Sequence, residues 1–174
     1  MLTPILYRCR NSGDFPGNRL PIVLYKNALS IPFLFKARYV KRQFAKHGWT
    51  NAWNSGVFTY SHYHSTTHEV LGFFGGSTTL QLGGANGHRI TVNRGDVLII
   101  PAGVAHKNLG DEYRVKCIGA YPDGRNYDIN TGQPGERPGT DHNISALPIP
   151  KEDPVYGPGE GLPKIWLRVL TPLT

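Results

Sequence analysis

Apolar and polar residues alternate with a period of two through most of the middle of the chain, the pattern of strands with one face in a core and the other in solvent. The runs 57 to 64, 69 to 75, 77 to 83, 88 to 92, 97 to 100, 105 to 109 and 113 to 121 each read as a strand, separated by glycine-rich joints. Strands this short and evenly spaced predict an antiparallel sandwich or barrel. A helical period appears between Ile31 and His47, where Phe33, Phe35, Ala37, Val40, Phe44 and Ala45 interleave with Arg38, Lys41, Arg42 and Lys46. That spacing predicts one helix with Ser30 as its N-cap, Pro32 in its first turn and Gly48 as its stop.

The flanks are less regular. Residues 1 to 30 alternate weakly and contain Pro16, Gly17 and Pro21, which fits an extended lead-in contributing one or two edge strands. From Pro122 to Pro163 the chain is dense in Pro, Gly, Asp and Asn, yet Ile144, Leu147, Ile149, Val155, Tyr156, Ile165, Trp166, Leu167 and Val169 are more apolar than a solvated tail requires. The tail is therefore expected to pack back on the barrel, where it is placed to close one mouth as a lid. The reading is one mainly β domain: an extension and helix over 1–48, a core over 49–121 and a tail over 122–174, with no internal repeat.

Composition supports this picture. A chain of 174 residues buries roughly 70% of its unfolded surface without staples, and 21 glycines and 14 prolines supply the turns. Of the two cysteines, Cys117 lies in an apolar alternating run, where a buried thiol is expected. Residues Met1 to Arg10 lack the apolar core of a signal peptide, and no apolar run approaches bilayer length, so a reducing, cytoplasmic address is expected. The formal charge of +7 raises the question of nucleic acid. The basic residues cluster at helical spacing, as the solvated face of one helix, and no recognition motif accompanies them. Neither a nucleic-acid nor a membrane partner is expected, and a small anionic substrate gains slightly from the charge.

The residues able to do chemistry are few. His62 and His64 are two apart, so on a strand both imidazoles point to one side. Glu69 follows after a four-residue gap, and His106 stands behind a Gly-x5-Pro-x-Gly run. Together the four can form a divalent-metal site with positions open to water or substrate. By the same parity Tyr60 and Phe58 face inward with His62, Leu71 and Phe73 with Glu69, and Asn108 with His106, which makes Tyr60 and Asn108 candidate substrate-binding residues. His68 points the other way from Glu69 and is not expected to be a ligand. His47 and His88 sit beside turns as surface residues, and His142 lies where a lid would bring it over the site. Lys107, Arg114 and Lys116 are candidate anchors for an anion, the last two on one face, so that both point in or neither does.

Two stretches carry a family resemblance. Gly56-x5-His62-x-His64-x4-Glu69-x6-Gly76 resembles the first cupin motif at every position, and Gly95-x5-Pro101-x-Gly103-x2-His106 resembles the second. The second departs only at its last element, where the family asparagine would fall on Gly110 and Asn108 is the nearest substitute. The string His62 to Leu71, the lead-in Gly48-Trp49-Thr50-Asn51 and the tail around Asp153-Pro154-Val155-Tyr156-Gly157 are similar to a group of small, single-domain, largely uncharacterised cupins. The resemblance implies a double-stranded β-helix of jelly-roll type, often a homodimer, with one divalent ion held by His62, His64, Glu69 and His106. Such a ligand set suits Fe, Mn, Ni, Co or Zn. Dioxygenase or isomerase chemistry on a small oxygen-rich metabolite is the expected function, with Glu69 as a base, and non-catalytic ligand binding is the alternative.

Overall fold

The computed structural model describes residues 1–171; the last three residues of the expected tail lie outside it. Six strands make the larger sheet. They are β1 (Ile5–Tyr7), β2 (Ile22–Tyr25), β3 (Trp49–Ser55), β4 (Glu69–Gly75), β7 (Val97–Ile100) and β9 (Lys116–Pro122). Their order is β1-β2-β7-β4-β9-β3, antiparallel at every step. The smaller sheet has β5 (Ser77–Leu82) between β6 (His88–Asn93) and β8 (His106–Asn108).

Parity along the larger sheet decides what each face buries. Ile22, Leu24, Leu71, Phe73, Leu98, Ile100 and Cys117 face the smaller sheet and meet its Leu80, Leu82, Ile90 and Val92 in one core. The alternate residues Val23, Tyr25, Val70, Val97, Ile99, Ile118 and Ala120 face outward, yet are equally buried, because two helices cover them. These are α1 (Lys36–Lys46) and α3 (Leu162–Leu170). Each such aliphatic side chain contributes about 1.5–3 kcal/mol by leaving water, so burial on both faces makes this sheet the rigid floor of the molecule. At Gly72 of β4 a Cβ would stand 2.6 Å from Phe44 and 2.7 Å from Val40. Its absence lets α1 lie directly on the strand.

Five of the expected strands, 69–75, 77–83, 88–92, 97–100 and 105–109, appear within two residues of their expected ends. The expected strand 57–64 does not form. The larger sheet uses Trp49–Ser55 instead, and after Gly56 the chain crosses between the sheets, pairing only through isolated bridges of His62 with His106 and Tyr63 with Asn130. The run expected from 113 begins at Lys116, because residues 111–114 close a turn in which Arg114 N donates to the Asp111 carbonyl. In the lead-in, β1 is an edge strand as expected, whereas β2 is fully buried between β1 and β7.

The expected helix over 31–47 starts five residues late. Pro32 disfavours helical geometry at Ile31, and the Arg94 guanidinium takes the Ile31 and Pro32 carbonyls that a first turn would have used. The N-cap is Phe35, at a left-handed φ of 54°, and Gly48 at φ 74° ends the helix as expected.

The tail packs on the sheet as expected, and carries helices that the composition did not suggest: α2 (Gly139–Ala146) and α3, with a short hairpin of β10 (Glu152–Asp153) and β11 (Gly157–Pro158) between them. Buried Asp153 anchors it, accepting from the Tyr25 hydroxyl and from the backbone N–H groups of Val155, Tyr156 and Leu162. Both cysteines are buried free thiols. No helix among the described residues is long and apolar enough to cross a membrane.

Candidate metal centre

His62 and His64 stand on the crossing loop, His106 opens β8 and Glu69 opens β4 on its inward face. The bridge between His62 and His106, each N–H donating to the other's carbonyl, draws the loop onto the smaller sheet. As a result ligand-type nitrogens of His62, His64 and His106 all lie within 4.8 Å of one another. Glu69 closes the group, with Oε1 3.6 Å from His64 Nε2 and Oε2 3.2 Å from His106 Nε2.

Backbone carbonyls set how the rings are protonated. His62 Nδ1 lies 3.2 Å from the Tyr60 carbonyl, His106 Nδ1 lies 3.1 Å from the Val104 carbonyl, and His64 Nδ1 contacts the Asp128 carbonyl. A carbonyl only accepts, so each Nδ1 carries the hydrogen and each Nε2 is the nitrogen turned to the others, the one through which a neutral imidazole ligates a metal. His106 Nε2 lies 3.2 Å from Glu69 Oε2, a buried carboxylate oxygen with no other donor among the described residues. A contact of this kind is satisfied by a proton on the imidazole or by a cation held between the two atoms. The residues present therefore fit a divalent ion.

Electrostatics agree. Burial, with the neighbouring His106, lowers the His62 imidazole to about 3, so this ring stays neutral. At His64 burial also favours the neutral ring, but the Glu69 carboxylate outweighs it and holds the group above its usual value. Burial pushes the Glu69 carboxyl up, yet His64 and His106 together keep it well below the carboxylate range. The site thus keeps Glu69 ionised, its charge balanced by a proton shared with the histidines or by a bound cation.

The cluster lies at the end of a cavity of about 180 Å³ with walls from Val57, Phe58, Leu71 and Ile129. Two features were not legible in the spacing. Trp53 Nε1 donates to the Tyr121 hydroxyl, which donates to Glu69 Oε1, and Trp53 reaches there because Gly119 lacks a side chain, a Cβ there falling 2.1 Å from the indole. Asp128 clamps the turn after His64, its carboxylate accepting from the Ser65 and Thr66 N–H groups and both hydroxyls. Burial raises that carboxyl, but the donors outweigh it and bring it down to about 2. Tyr121 sits two residues on from Gly119 on the inward parity of β9, a signal present in the sequence; Asp128 lies in the aperiodic tail and gives none.

No family model matches the chain. It is 40% identical over 161 residues to a protein of Bacillus subtilis (strain 168) described as uncharacterized protein YjlB, spanning 92% of each. The chain belongs to the YjlB family. Solved structures similar to this YjlB-family chain include acireductone dioxygenase from Bacillus anthracis with a cadmium ion in its active centre, at 16% identity over 57% of this chain and 77% of that one, TM-score 0.43. Others are a Bacillus subtilis oxalate decarboxylase, at 18% identity over 64% and 27% of the chains, TM-score 0.36, and the vicilin of Solanum melongena, at 25% over 46% and 24%, TM-score 0.35.

The remaining candidates fall in different places in this YjlB-family fold. Tyr60 is 46% exposed and stacks on Phe58 at the mouth, outside the cavity wall, because residues 57–64 form no strand and strand parity does not apply. Asn108 is buried as expected, but its carbonyl accepts from the Thr78 hydroxyl and from Gly110 N, so it ties off a strand end and does not line the cavity. Lys107, Arg114 and Lys116 are all outside the cavity wall, and Arg114 pairs with Asp111 in solvent. His142 is exposed on α2, away from the cluster. His47 is half-buried against Glu152, and His88 meets the Arg8 carbonyl. His68 does point away from the site, but it is buried under Trp166, its Nδ1 accepting from Ala102 N, and burial lowers its imidazole to about 4.

Proposed function

We propose that this chain is a metal-dependent cupin enzyme, of dioxygenase or isomerase type, which acts on a small oxygen-rich metabolite with one divalent ion held by His62, His64, Glu69 and His106. The observation that supports this most directly is the convergence of three histidine nitrogens and the buried Glu69 carboxylate on one end of a cavity. A divalent ion in such a site supplies Lewis acidity and, for a redox metal, access to dioxygen.

The chain's own groups do the rest. Val57, Phe58, Leu71 and Ile129 keep bulk water from the reacting end and strengthen charge interactions there. Glu69, were its Oε2 released from the ion, is the group able to accept a proton from a substrate carbon or hydroxyl, while the Tyr121 hydroxyl holds Oε1. The Tyr121 phenol, raised by burial and by Glu69, stays protonated and acts as a donor. A second reading, non-catalytic binding of a small ligand, is favoured by the mostly apolar wall, which offers few proton-carrying groups beyond Glu69, Tyr121 and Tyr127.

Elemental analysis of protein purified without chelator or added metal tests the proposal. About one equivalent of iron, manganese, nickel, cobalt or zinc per chain is expected, followed by turnover in a screen of oxygen-rich metabolites that reads oxygen uptake and isomer formation. No metal uptake even on reconstitution would overturn the metal reading. Full loading with ligand binding but no turnover would select the second reading.

A further inference from the structure

The helical period read from Ile31 to His47 includes Phe33 and Phe35 among its apolar positions. The structure puts them outside the helix. Phe33, Leu34 and Phe35 are 87%, 63% and 76% exposed in a row, at the tip of the segment that leads into α1. The tip is held outward: Arg94 Nη2 donates to the Ile31 carbonyl at 2.6 Å, and Phe35 itself sits in the left-handed region, where a bulky residue is rare. Three consecutive exposed apolar side chains on a fixed support mark an interaction surface.

The charge beside the tip says what it meets. From residue 15 to residue 68 the chain has no Asp or Glu. Arg38, Arg42 and Lys46 recur every four residues along the exposed face of α1, flanked by half-buried Lys36 and Lys41. None of the five forms an ion pair among the described residues, whose ion pairs all lie elsewhere. Between tip and stripe is a hollow of about 440 Å³ walled by Leu34, Phe35, Tyr39, Arg38 and Arg42. A second copy docking about a two-fold axis would set these cations against their own images, which disfavours self-association here. The three residues are exposed in succession, so a protein partner would need a matching apolar cleft for them, whereas a bilayer accepts exposed apolar groups anywhere.

We propose that this surface attaches the protein reversibly to an anionic phospholipid bilayer. Phe33, Leu34 and Phe35 enter the headgroup–acyl boundary, Arg38 and Arg42 take a lipid phosphate in the hollow, and Lys36, Lys41 and Lys46 face the negative surface. This revises the expectation of a simple solvated face. It does not depend on the metal centre, which opens between the two sheets while α1 lies on the outer face of the larger one.

The test is flotation of the full chain with vesicles of phosphatidylcholine alone and of phosphatidylcholine mixed with phosphatidylglycerol, at low and high salt. Binding to the anionic vesicles only, weakened by salt, is expected. Arg38→Ala/Arg42→Ala should lower the partition by about 25-fold, roughly fivefold per cation, and Phe33→Ser/Leu34→Ser should abolish flotation, with the thermal midpoint of both double variants unchanged because the residues are exposed. Absence of binding to anionic vesicles, equal binding to neutral ones, or unaltered flotation of either double variant would overturn the proposal. So would a change from dimer to monomer in Phe33→Ser/Leu34→Ser by sedimentation, which would assign the face to a second copy, or binding of an acidic protein at this face without vesicle binding.

Discussion

His68 and Glu69 are adjacent, and the alternation of β4 sends one to the cavity and the other beneath α3. Substitution should separate them. His64→Ala and His106→Ala are expected to lose bound metal, while His68→Ala keeps it by elemental analysis but loses about 1–3 kcal/mol in urea unfolding, because Ala102 N–H is left buried without its acceptor. Equal metal content in all three proteins would refute the ligand set. At this scale the four clustered residues were legible because their spacing is constrained by chemistry. Tyr60, read as inward by strand parity, stands partly exposed with its ring 5.5 Å from that of His62 because no strand forms there, and Asn108, read as buried, spends its carbonyl on Thr78 and Gly110. Asp128 was illegible for a different reason: it grips the His64 turn from a segment with no period of its own.

Among the elements, those with one face in the core were readable and those made by irregular backbone were not. Strands β4 to β8 fall where alternation puts them, while the crossing loop over 57–64 alternates equally well and has its backbone bonds divided among His106, Asn108 and Asn130. Helix α3 was missed although Leu162, Ile165, Trp166 and Val169 have helical spacing and Pro163 opens its first turn, because proline and glycine nearby dominated the reading. Two substitutions probe elements directly. Asp153→Ala leaves three backbone N–H groups and the Tyr25 hydroxyl without an acceptor, and is expected to cost about 3 kcal/mol and expose Trp166 to fluorescence quenchers in the native state. Phe35→Asn, by contrast, is expected to raise the thermal midpoint through a gain of about 1 kcal/mol, since asparagine tolerates the left-handed conformation that opens α1. A lower midpoint would mean that the phenyl ring packs more than its exposure suggests.

Across the whole molecule, any cation held at the cluster would be linked to folding, since His62, His64, Glu69 and His106 are brought together by both sheets and the loop that crosses between them. Metal at a hundred times its dissociation constant should stabilise the fold by about 2.7 kcal/mol, read as a rise in thermal midpoint that chelator reverses and His106→Ala abolishes. A midpoint unmoved by metal in the unsubstituted protein would place the ion outside the folded cluster. The contact of His64 Nδ1 with the Asp128 carbonyl adds a constraint of timing. The carbonyl comes 64 residues after the ring it orients, so a nascent chain that has emerged only through His106 has all four ligands but not the group that sets His64's tautomer. An ion taken up at this cluster should therefore load only once the chain has emerged beyond Asp128.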